Sequence, residues 1–178
     1  MKDILLVIDM QNDFVFGPLS TDQAREIVQN VKEKVLNFKG DIYFTRDTHF
    51  ENYLSSQEGK KLPVTHCIKD TEGWQIIKDL DTLRKTEPID KVTFGSSKLV
   101  DLLVKENEKE TINSITLIGV CTDICVISNA MIIKAFLPET EILVDASCCA
   151  GVTVESHNNA LEAMKCCQIT IINQDSIS

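Results

Sequence analysis

The sequence has no long hydrophobic run near its N-terminus. The segment MKDILLVID holds five consecutive apolar residues before the next charged residue. A signal-peptide core needs at least about 7 apolar residues, and a membrane span needs about 20. We therefore expect no targeting or transmembrane segment, and a cytoplasmic location in which thiols stay reduced.

The sequence also lacks a C-x-x-C pair, although it contains seven cysteines. This absence argues against a zinc ribbon and against a thioredoxin-type redox motif. The adjacent pairs Cys148–Cys149 and Cys166–Cys167 are interpreted as packing residues.

Positive charge is scarce, since the 178 residues carry 18 Lys and Arg against 27 Asp and Glu, a formal net charge of −9. An acidic chain suits neither nucleic acid nor an anionic membrane, so we expect neither as a partner. The chain contains no repeats, low-complexity segments or linkers. Its length and its hydrophobic content of 43% fit one globular domain over residues 1–178.

Short β-type runs alternate with helical patterns along the chain. The run ILLVI is continuous, as in a strand that is buried on both faces. Ser20 and Gln23 resemble a capping box before a helical pattern that continues to Val35. Strands are predicted at 4–8, 41–45, 89–94, 114–120, 141–146 and 168–172, and further helices at 96–106, 123–136 and 154–165. This order predicts an α/β fold, a six-stranded parallel sheet with helices on both faces.

Polar and reactive side chains follow several of the predicted strands. Asp9 ends the first strand, Asp47 and His49 follow the second, and Cys121 and Cys125 follow SITLIGV. Ligands of open parallel sheets bind beyond the carboxyl ends of the strands. We therefore expect these residues to converge at one edge, beside the long polar loop that runs from residue 47 to about residue 73.

Two cysteines in GVCTDICV are candidates for a nucleophile. Cys125 lies in the first turn of a predicted helix, where unpaired N–H groups and the helix dipole favour a thiolate and lower the thiol pKa. Cys121 precedes the helix and gains less. Either cysteine alone is explained by simple packing, but a carboxylate at a neighbouring strand end supplies the base that a cysteine nucleophile needs.

Five segments together resemble the isochorismatase-like cysteine hydrolases, and in particular their nicotinamidase branch. They are IDMQNDF (8–14), RDTH (46–49), HC (66–67), the lysine of DKVTFGS (90–96) and GVCTDICV (119–126). The resemblance extends over almost the whole chain, and its motifs occur in the family's order.

The resemblance implies a catalytic triad of Asp9, Lys91 and Cys125. Asp9 would take the thiol proton and return it to the leaving amine, and Lys91 would hold the two in register. The family has a cis peptide bond at the position of Val120–Cys121. The backbone N–H groups of Cys121 and Cys125 would then form the oxyanion hole, so that Cys121 contributes its backbone rather than its sulfur.

The resemblance also implies a divalent metal, Zn, Mn or Fe, with Asp47, His49 and His66 as ligands. Glu58 suits the role of a further ligand, and Glu51 is a weaker candidate. Such an ion would bind the pyridine nitrogen of the substrate and would not generate the nucleophile. The alternative is a hydrogen-bonded loop brace without metal, as in several amidases of this superfamily.

The chain departs from the nicotinamidase pattern just before His66. Enzymes of that branch carry an aromatic residue and two prolines there, whereas this chain reads KLPVTH (61–66). Phe14, Phe94 and Tyr53 are therefore the candidate pocket residues, and Trp74 is a further one.

The resulting hypothesis is a cysteine amidohydrolase that converts nicotinamide to nicotinate and ammonia through a thioester, with no organic cofactor. One alternative is a metal-free amidase of a carbamoyl or other small amide. Another is a non-catalytic protein that binds a small ligand on the same fold, and a redox thiol protein is a third. The filled triad positions disfavour the non-catalytic protein. The absence of C-x-x-C and the presence of Lys91 disfavour the redox protein, and a cysteine nucleophile disfavours a true isochorismatase.

Helix 123–136 carries more apolar side chains than one sheet face can cover, which predicts a homo-oligomer. The alternative is that another part of the same chain covers them. His157 shares a helix face with Ala160, Leu161 and Met164 and is interpreted as a structural histidine.

Overall fold

A computed structural model describes residues 1–174 of the chain. Its centre is a six-stranded sheet in the order β3-β2-β1-β4-β5-β6, and each neighbouring pair is parallel. The strands are β1 (Lys2–Ile8), β2 (Asp41–Asp47), β3 (Ile89–Lys91), β4 (Ile112–Val120), β5 (Glu141–Ala150) and β6 (Thr170–Ile172). The predicted α/β fold is confirmed.

Strand β1 shows why an uninterrupted apolar run suits the middle of this sheet. Ile4, Leu6 and Ile8 belong to the hydrophobic cluster on one face, and Leu5 and Val7 belong to the cluster on the other. Successive side chains of a strand point to opposite faces, so a strand covered on both sides needs apolar residues at every position.

Helices cover both faces of the sheet. They are α1 (Asn12–Val15), α2 (Asp22–Glu26), α3 (Val28–Asn37), α4 (Gln57–Lys61), α5 (Lys78–Asp81), α6 (Ser97–Lys109), α7 (Ile127–Phe136) and α8 (Val154–Cys166). Buried residues of α6, α7 and α8 pack in the cluster that contains Ile4, whereas those of α2, α3 and α5 pack in the cluster that contains Leu5. Within residues 1–174, no helix has the length and apolar character that crossing a membrane requires.

Helix α2 begins differently from the prediction. Thr21, not Ser20, is the N-cap residue, and its hydroxyl accepts the backbone N–H of Ala24 at 3.0 Å. The helical pattern divides at Ile27, which ends α2 and precedes α3. The predicted capping box is therefore wrong by one position, because either hydroxyl-bearing residue fits the same local pattern.

Other predicted elements have different bounds in the structure. Strand β3 ends at Lys91 rather than at residue 94. The predicted helix 123–136 begins as a π-helical turn (Thr122–Val126), in which the N–H of Val126 donates to the carbonyl of Cys121 at 3.0 Å, and α7 follows it. Cys166 is exposed, so its interpretation as a packing residue is wrong, whereas Cys148 and Cys149 are buried.

Gly119 allows β4 to lie close to β1 near the carboxyl ends of both strands. Its φ of +114° is a conformation that L side chains rarely adopt, and a Cβ there would lie 2.1 Å from the carbonyl oxygen of Ile8. Any side chain would therefore force apart the strand ends that precede Asp9 and Cys121.

Candidate active site and metal centre

Asp9 follows β1 with a φ of +49°, a left-handed conformation that is costly for a residue other than glycine. Its carboxylate is fully buried. The hydroxyl of Thr45 donates to Oδ1 at 2.6 Å, and the backbone N–H of Asp9 donates to the same hydroxyl oxygen at 3.2 Å. Thr45, in the neighbouring strand β2, therefore fixes both the backbone and the side chain of Asp9.

Lys91 is the last residue of β3, and its ammonium group is buried. Its Nζ lies 2.6 Å from Oδ2 of Asp9, 3.5 Å from Sγ of Cys125 and 3.5 Å from Oδ1 of Asp47. Nζ also donates to the carbonyl of Thr93 at 3.3 Å. Burial lowers the pKa of Lys91, but the charges of Asp9, Cys125 and Asp47 outweigh it and raise the pKa above its usual value. The ammonium group therefore stays charged beside the thiol.

Cys125 lies in the π-helical turn after β4, and 4% of its surface is exposed. The lowered pKa that a helix N-terminus suggests is wrong here, because burial raises the pKa of this thiol well above its usual value and Lys91 offsets only part of that increase. Burial likewise raises the pKa of Asp9, against the opposing charge of Lys91. A buried carboxylate with a raised pKa is a suitable acceptor for a thiol proton.

The peptide bond between Val120 and Cys121 is cis. Cys121 then caps the π-helical turn, since its carbonyl accepts the N–H groups of Ile124 at 3.1 Å and Val126 at 3.0 Å. Burial raises the pKa of Cys121 to about 12. Unlike Cys125, Cys121 forms no hydrogen bond with Lys91 within the described residues.

A second group of side chains lies beside this trio. Asp47, His49, Glu58 and His66 each offer one ligand atom, and these atoms all lie within 4.8 Å of one another. Oδ2 of Asp47 is 3.0 Å from Nε2 of His49 and 3.6 Å from Nε2 of His66. Glu51 is not part of this group and lines an open surface depression with Phe50 and Asn52.

The donor set fits a divalent cation. Nε2 of His49 is buried without a well-aligned hydrogen bond, although the Asp47 carboxylate is near. Nδ1 of His66 lies 2.7 Å from the carbonyl of Val64, an arrangement that makes Nδ1 the donor and leaves Nε2 with its lone pair facing the carboxylates. The two carboxylates match the charge of a divalent ion, and such nitrogen and oxygen donors suit zinc, manganese or iron.

Without a metal ion, the charged members of this cluster shift one another's pKa values. Burial lowers the pKa of His49, but the nearby carboxylates of Asp47 and Glu58 outweigh burial and raise the pKa to about 9. Burial raises the pKa of Asp47, and the nearby histidines and Lys91 reverse this and lower the pKa below its usual range. Asp47 therefore stays ionised between Lys91 and the two histidines.

Two residues of the motif IDMQNDF hold the loops that carry these groups. Gln11 brackets Asp47, because its Oε1 accepts the Asp47 N–H at 2.7 Å and its Nε2 donates to the Asp47 carbonyl at 2.9 Å. Oδ2 of Asp13 accepts the N–H of Cys67 at 2.7 Å, which fixes the chain just after His66. The roles of Gln11 and Asp13 are not visible in the sequence, because both side chains bind backbone groups that are distant along the chain.

The four aromatic residues considered for the pocket have different surroundings. The ring of Phe14 lies 5.6 Å from that of His66, and Phe94 is 43% exposed. Tyr53 lies beside the candidate metal ligands, with 2% of its surface exposed and its ring 4.6 Å from that of His49. Trp74 does not face the cluster, since its indole N–H donates to Thr48 at 2.9 Å and Arg46 stacks on its ring.

His157 was interpreted as structural, and it is half-buried in α8. Its Nδ1 lies 2.8 Å from the hydroxyl of Thr122, the first residue of the π-helical turn. Burial lowers the pKa of His157, which favours the neutral ring. The sequence pattern did not indicate this contact, because Thr122 and His157 lie on different elements.

The model of the isochorismatase domain family matches residues 3–176 of the chain. The chain belongs to the isochorismatase family. Among curated relatives, an uncharacterised isochorismatase family protein called PncA from Bacillus subtilis is 31% identical over 176 residues, covering 90% of this chain and 93% of that protein. A nicotinamidase from Schizosaccharomyces pombe is 27% identical over 209 residues, covering 96% of this chain and 92% of that protein.

Solved structures share the fold of this family member. The crystal structure of a pyrazinamidase from Pyrococcus horikoshii in complex with zinc superimposes with a TM-score of 0.82 and 25% sequence identity. The match covers 98% of this chain and 100% of that one. The isochorismatase-like hydrolase fold is therefore confirmed.

Proposed function

We propose that this protein is a cysteine amidohydrolase whose preferred substrate is nicotinamide. The buried trio of Asp9, Lys91 and Cys125 carries the proposal, because Lys91 touches Asp9 at 2.6 Å and Cys125 at 3.5 Å. The trio combines a nucleophile, a base and a cation between them, as covalent catalysis requires. Nicotinamidases among the relatives support an amide as the substrate.

The reaction begins when Sγ of Cys125 attacks the carboxamide carbon. A C–S bond forms, the thiol proton passes to Asp9, and the carbonyl oxygen becomes an oxyanion. The N–H groups of Cys121 and Cys125 stabilise that oxygen. The C–N bond then breaks, ammonia leaves with the proton from Asp9, and water hydrolyses the thioester to give the carboxylate and the free thiol.

Asp47, His49, Glu58 and His66 are the proposed ligands of a divalent ion. When bound, the ion would supply a Lewis-acid position for the pyridine nitrogen of the substrate. Gln11 and Asp13 orient the ligand loops through their backbone hydrogen bonds, and the ring of Phe14 offers apolar packing beside His66. Holding the ring in this way would align the carboxamide with Cys125.

An amide panel tests the substrate. Ammonia release is measured for nicotinamide, pyrazinamide, benzamide and an aliphatic amide, before and after chelation and after Zn²⁺, Mn²⁺ or Fe²⁺ is returned. We expect nicotinamide turnover to fall on chelation and to recover with metal. Equal rates for benzamide, which lacks the ring nitrogen, would contradict the metal-anchored pose. Release from an aliphatic or carbamoyl amide but not from nicotinamide would favour the metal-free amidase.

A pair of cysteine variants tests the nucleophile. Cys125→Ala should abolish ammonia release, whereas Cys121→Ala should stay substantially active because only its backbone is used. Limiting iodoacetamide followed by peptide mass spectrometry shows which thiol is modified as activity is lost. If Cys125→Ala retains turnover, the nucleophile assignment is wrong.

A homo-oligomer in the cytoplasm is also part of the proposal. Val126, Ala130 and Ile133 are buried against the sheet, but Met131 and Phe136 of α7 remain 38% and 59% exposed. Light scattering at micromolar concentration tests this proposal, and a single species of monomer mass would contradict it.

A further inference from the structure

Asn129 forms a buried hydrogen-bonded bridge beside the candidate nucleophile. It lies in α7, and none of its surface is exposed. Its Nδ2 donates to the carbonyl of Cys125 at 2.8 Å and to the carbonyl of Phe94 at 3.0 Å. Its Oδ1 accepts the backbone N–H of Ser96 at 3.0 Å. The amide has only one orientation that satisfies all three partners, because two are acceptors and one is a donor.

The bridge joins two segments that are distant in the sequence. One is the π-helical turn that carries Cys125, and the other is loop 92–96, which follows Lys91. The loop passes close to α7, since a Cβ on Gly95 would lie 3.3 Å from the carbonyl oxygen of Ser128. Asn129 therefore links this loop to the turn through its three hydrogen bonds.

The same loop contributes to the surroundings of Lys91. The Thr93 carbonyl accepts a hydrogen bond from Nζ of Lys91 at 3.3 Å, and the Thr93 hydroxyl donates to the carbonyl of Gly95 at 2.6 Å. A shift of the loop would therefore move an acceptor of the ammonium group. Since that group is 3.5 Å from Sγ of Cys125, a small displacement changes its interaction with the thiolate.

Helix capping does not account for this arrangement. Helix α6 is capped by Ser96 itself, whose hydroxyl accepts the N–H of Leu99 at 3.1 Å. An apolar residue at position 129 would match the neighbours Ala130 and Ile133, yet the chain buries an amide there. Its two N–H donors are directed at two carbonyls, that of Cys125 itself and that of Phe94 in loop 92–96.

We propose that Asn129 is a positioning residue for the reaction, because it clamps the Cys125 turn to the loop that supports Lys91 and so sets the spacing of thiol and ammonium. This role rests on the proposed function of Cys125 as the nucleophile. Asn129 itself touches neither the thiol nor the substrate in this scheme.

Three substitutions test the clamp. Asn129→Leu removes all three hydrogen bonds, and Asn129→Asp keeps only the acceptor for Ser96. Asn129→Thr introduces a hydroxyl that can donate to the carbonyl of Cys125 one helical turn earlier, which makes it the conservative variant. Asn107→Leu is the matched control, because the Asn107 side chain accepts the backbone N–H of Ile112 at 2.8 Å away from the site.

The readouts are kcat and KM for nicotinamide and the pH dependence of Cys125 alkylation by iodoacetamide. Peptide fragmentation distinguishes Cys125 from Cys121. We expect kcat to fall by at least about 10-fold in Asn129→Leu and Asn129→Asp, with KM changed by less than about 3-fold, because misplacement of a reacting group mainly affects the transition state. The apparent pKa of Cys125 alkylation should rise in both variants, and Asn129→Thr should recover part of each effect.

Asn107→Leu should lower the melting temperature but leave kcat and the alkylation profile unchanged. If the Asn129 variants lower the melting temperature and keep the wild-type kcat and alkylation profile, the clamp is only structural and the proposal is overturned. If Asn129→Leu does not fold, Asn129→Asp and Asn129→Thr decide in the same way. The alkylation profile tests the clamp without requiring turnover. The proposed function is tested separately, because retained turnover in Cys125→Ala would overturn it whatever the alkylation profile shows.

Discussion

The ion pairs Asp9–Lys91 and Asp145–Lys34 have different surroundings. Asp9 and Lys91 are separated by 2.6 Å, and their side chains are 0% and 1% exposed. Asp145 of β5 and Lys34 of α3 are separated by 2.7 Å, but the Lys34 side chain is 27% exposed. Solvent hydrates the second lysine, whereas the first pair depends wholly on its protein partners.

The pKa values of the two carboxylates shift in opposite directions. Burial raises the pKa of Asp9 despite the nearby Lys91. Burial also acts on Asp145, but hydrogen bonds from Lys34, Ser147 and Asn173 outweigh it and lower the pKa. An ion pair that stabilises a fold keeps its carboxylate ionised, whereas a catalytic base has to accept a proton. The comparison therefore supports the proposal that Asp9 is the catalytic base, and it favours a structural role for Asp145.

Replacing the two aspartates is the strongest test of this difference. Asp9→Asn should lower turnover by at least about 100-fold, since general acid–base catalysis typically contributes about 10²–10⁴-fold. Asp145→Asn is the matched variant. Its kcat should stay within about 2-fold of the wild-type value, because Asp145 takes no part in the proposed acid–base step. Ammonia release normalised to the folded fraction measures both turnover rates. If the two variants lose turnover to nearly the same extent, Asp9 and Asp145 do not differ in role.

Replacing the two lysines should give a somewhat smaller difference. Lys91→Met removes the cation beside Cys125, so kcat should fall by about 10²–10³-fold, as for loss of one preorganised electrostatic contact. Cys125 should also react more slowly with iodoacetamide at neutral pH, because its thiolate loses a counter-charge. Lys34→Met should leave both rates unchanged. If Cys125 of Lys91→Met is alkylated at the wild-type rate, Lys91 does not act on the thiol.

The structural pair should contribute to stability, and its contribution should depend on pH. Asp145→Asn should cost about 1–3 kcal/mol of unfolding free energy near neutral pH, as for other buried hydrogen-bonded groups. Because the folded-state pKa of Asp145 is lowered, the contribution is present above the unfolded value near 3.9 and is lost as pH falls through the folded value.

Denaturant titrations of the wild type and of Asp145→Asn, at neutral and acidic pH, measure this contribution. The stability difference should narrow on acidification. A difference that stays constant to the lowest pH at which both proteins fold would mean that the charge of Asp145 is not the cause.

The smallest effect is expected for Lys34→Met. Partly exposed ion pairs contribute about 0–1 kcal/mol, and the long side chain still covers apolar surface after the substitution. The same denaturant titration measures it. If Lys34→Met loses more unfolding free energy than Asp145→Asn, the expectation that the partly exposed lysine contributes less than the buried aspartate is wrong.

The sequence alone predicted those features that depend on local patterns. Buried strands are visible as apolar runs, and Asp9, Lys91 and Cys125 lie in motifs that a family resemblance can match. Their convergence follows from parallel strands that end at one edge. The proposed metal ligands Asp47, His49, Glu58 and His66 are likewise predicted from the family resemblance.

Features that depend on tertiary contacts were missed. Thr45 reads as an ordinary strand residue, and its role appears only when β2 lies beside Asp9. Asn129 is a polar residue in an apolar helix, which the pattern leaves unexplained until loop 92–96 packs against it. The direction of the Cys125 pKa shift was also wrong, because helix position is local and burial is not.

The spacing between the ends of β1 and β4 depends on Gly119, which has only a hydrogen atom as its side chain. With a carbonyl oxygen 2.1 Å from the place of its missing Cβ, even alanine would act as a wedge between the two central strands. The wedge would open on the side where Asp9 and the Cys125 turn leave the sheet. A substitution at this position would therefore change the separation of Asp9 and Cys125, the proposed base and nucleophile, abruptly rather than gradually.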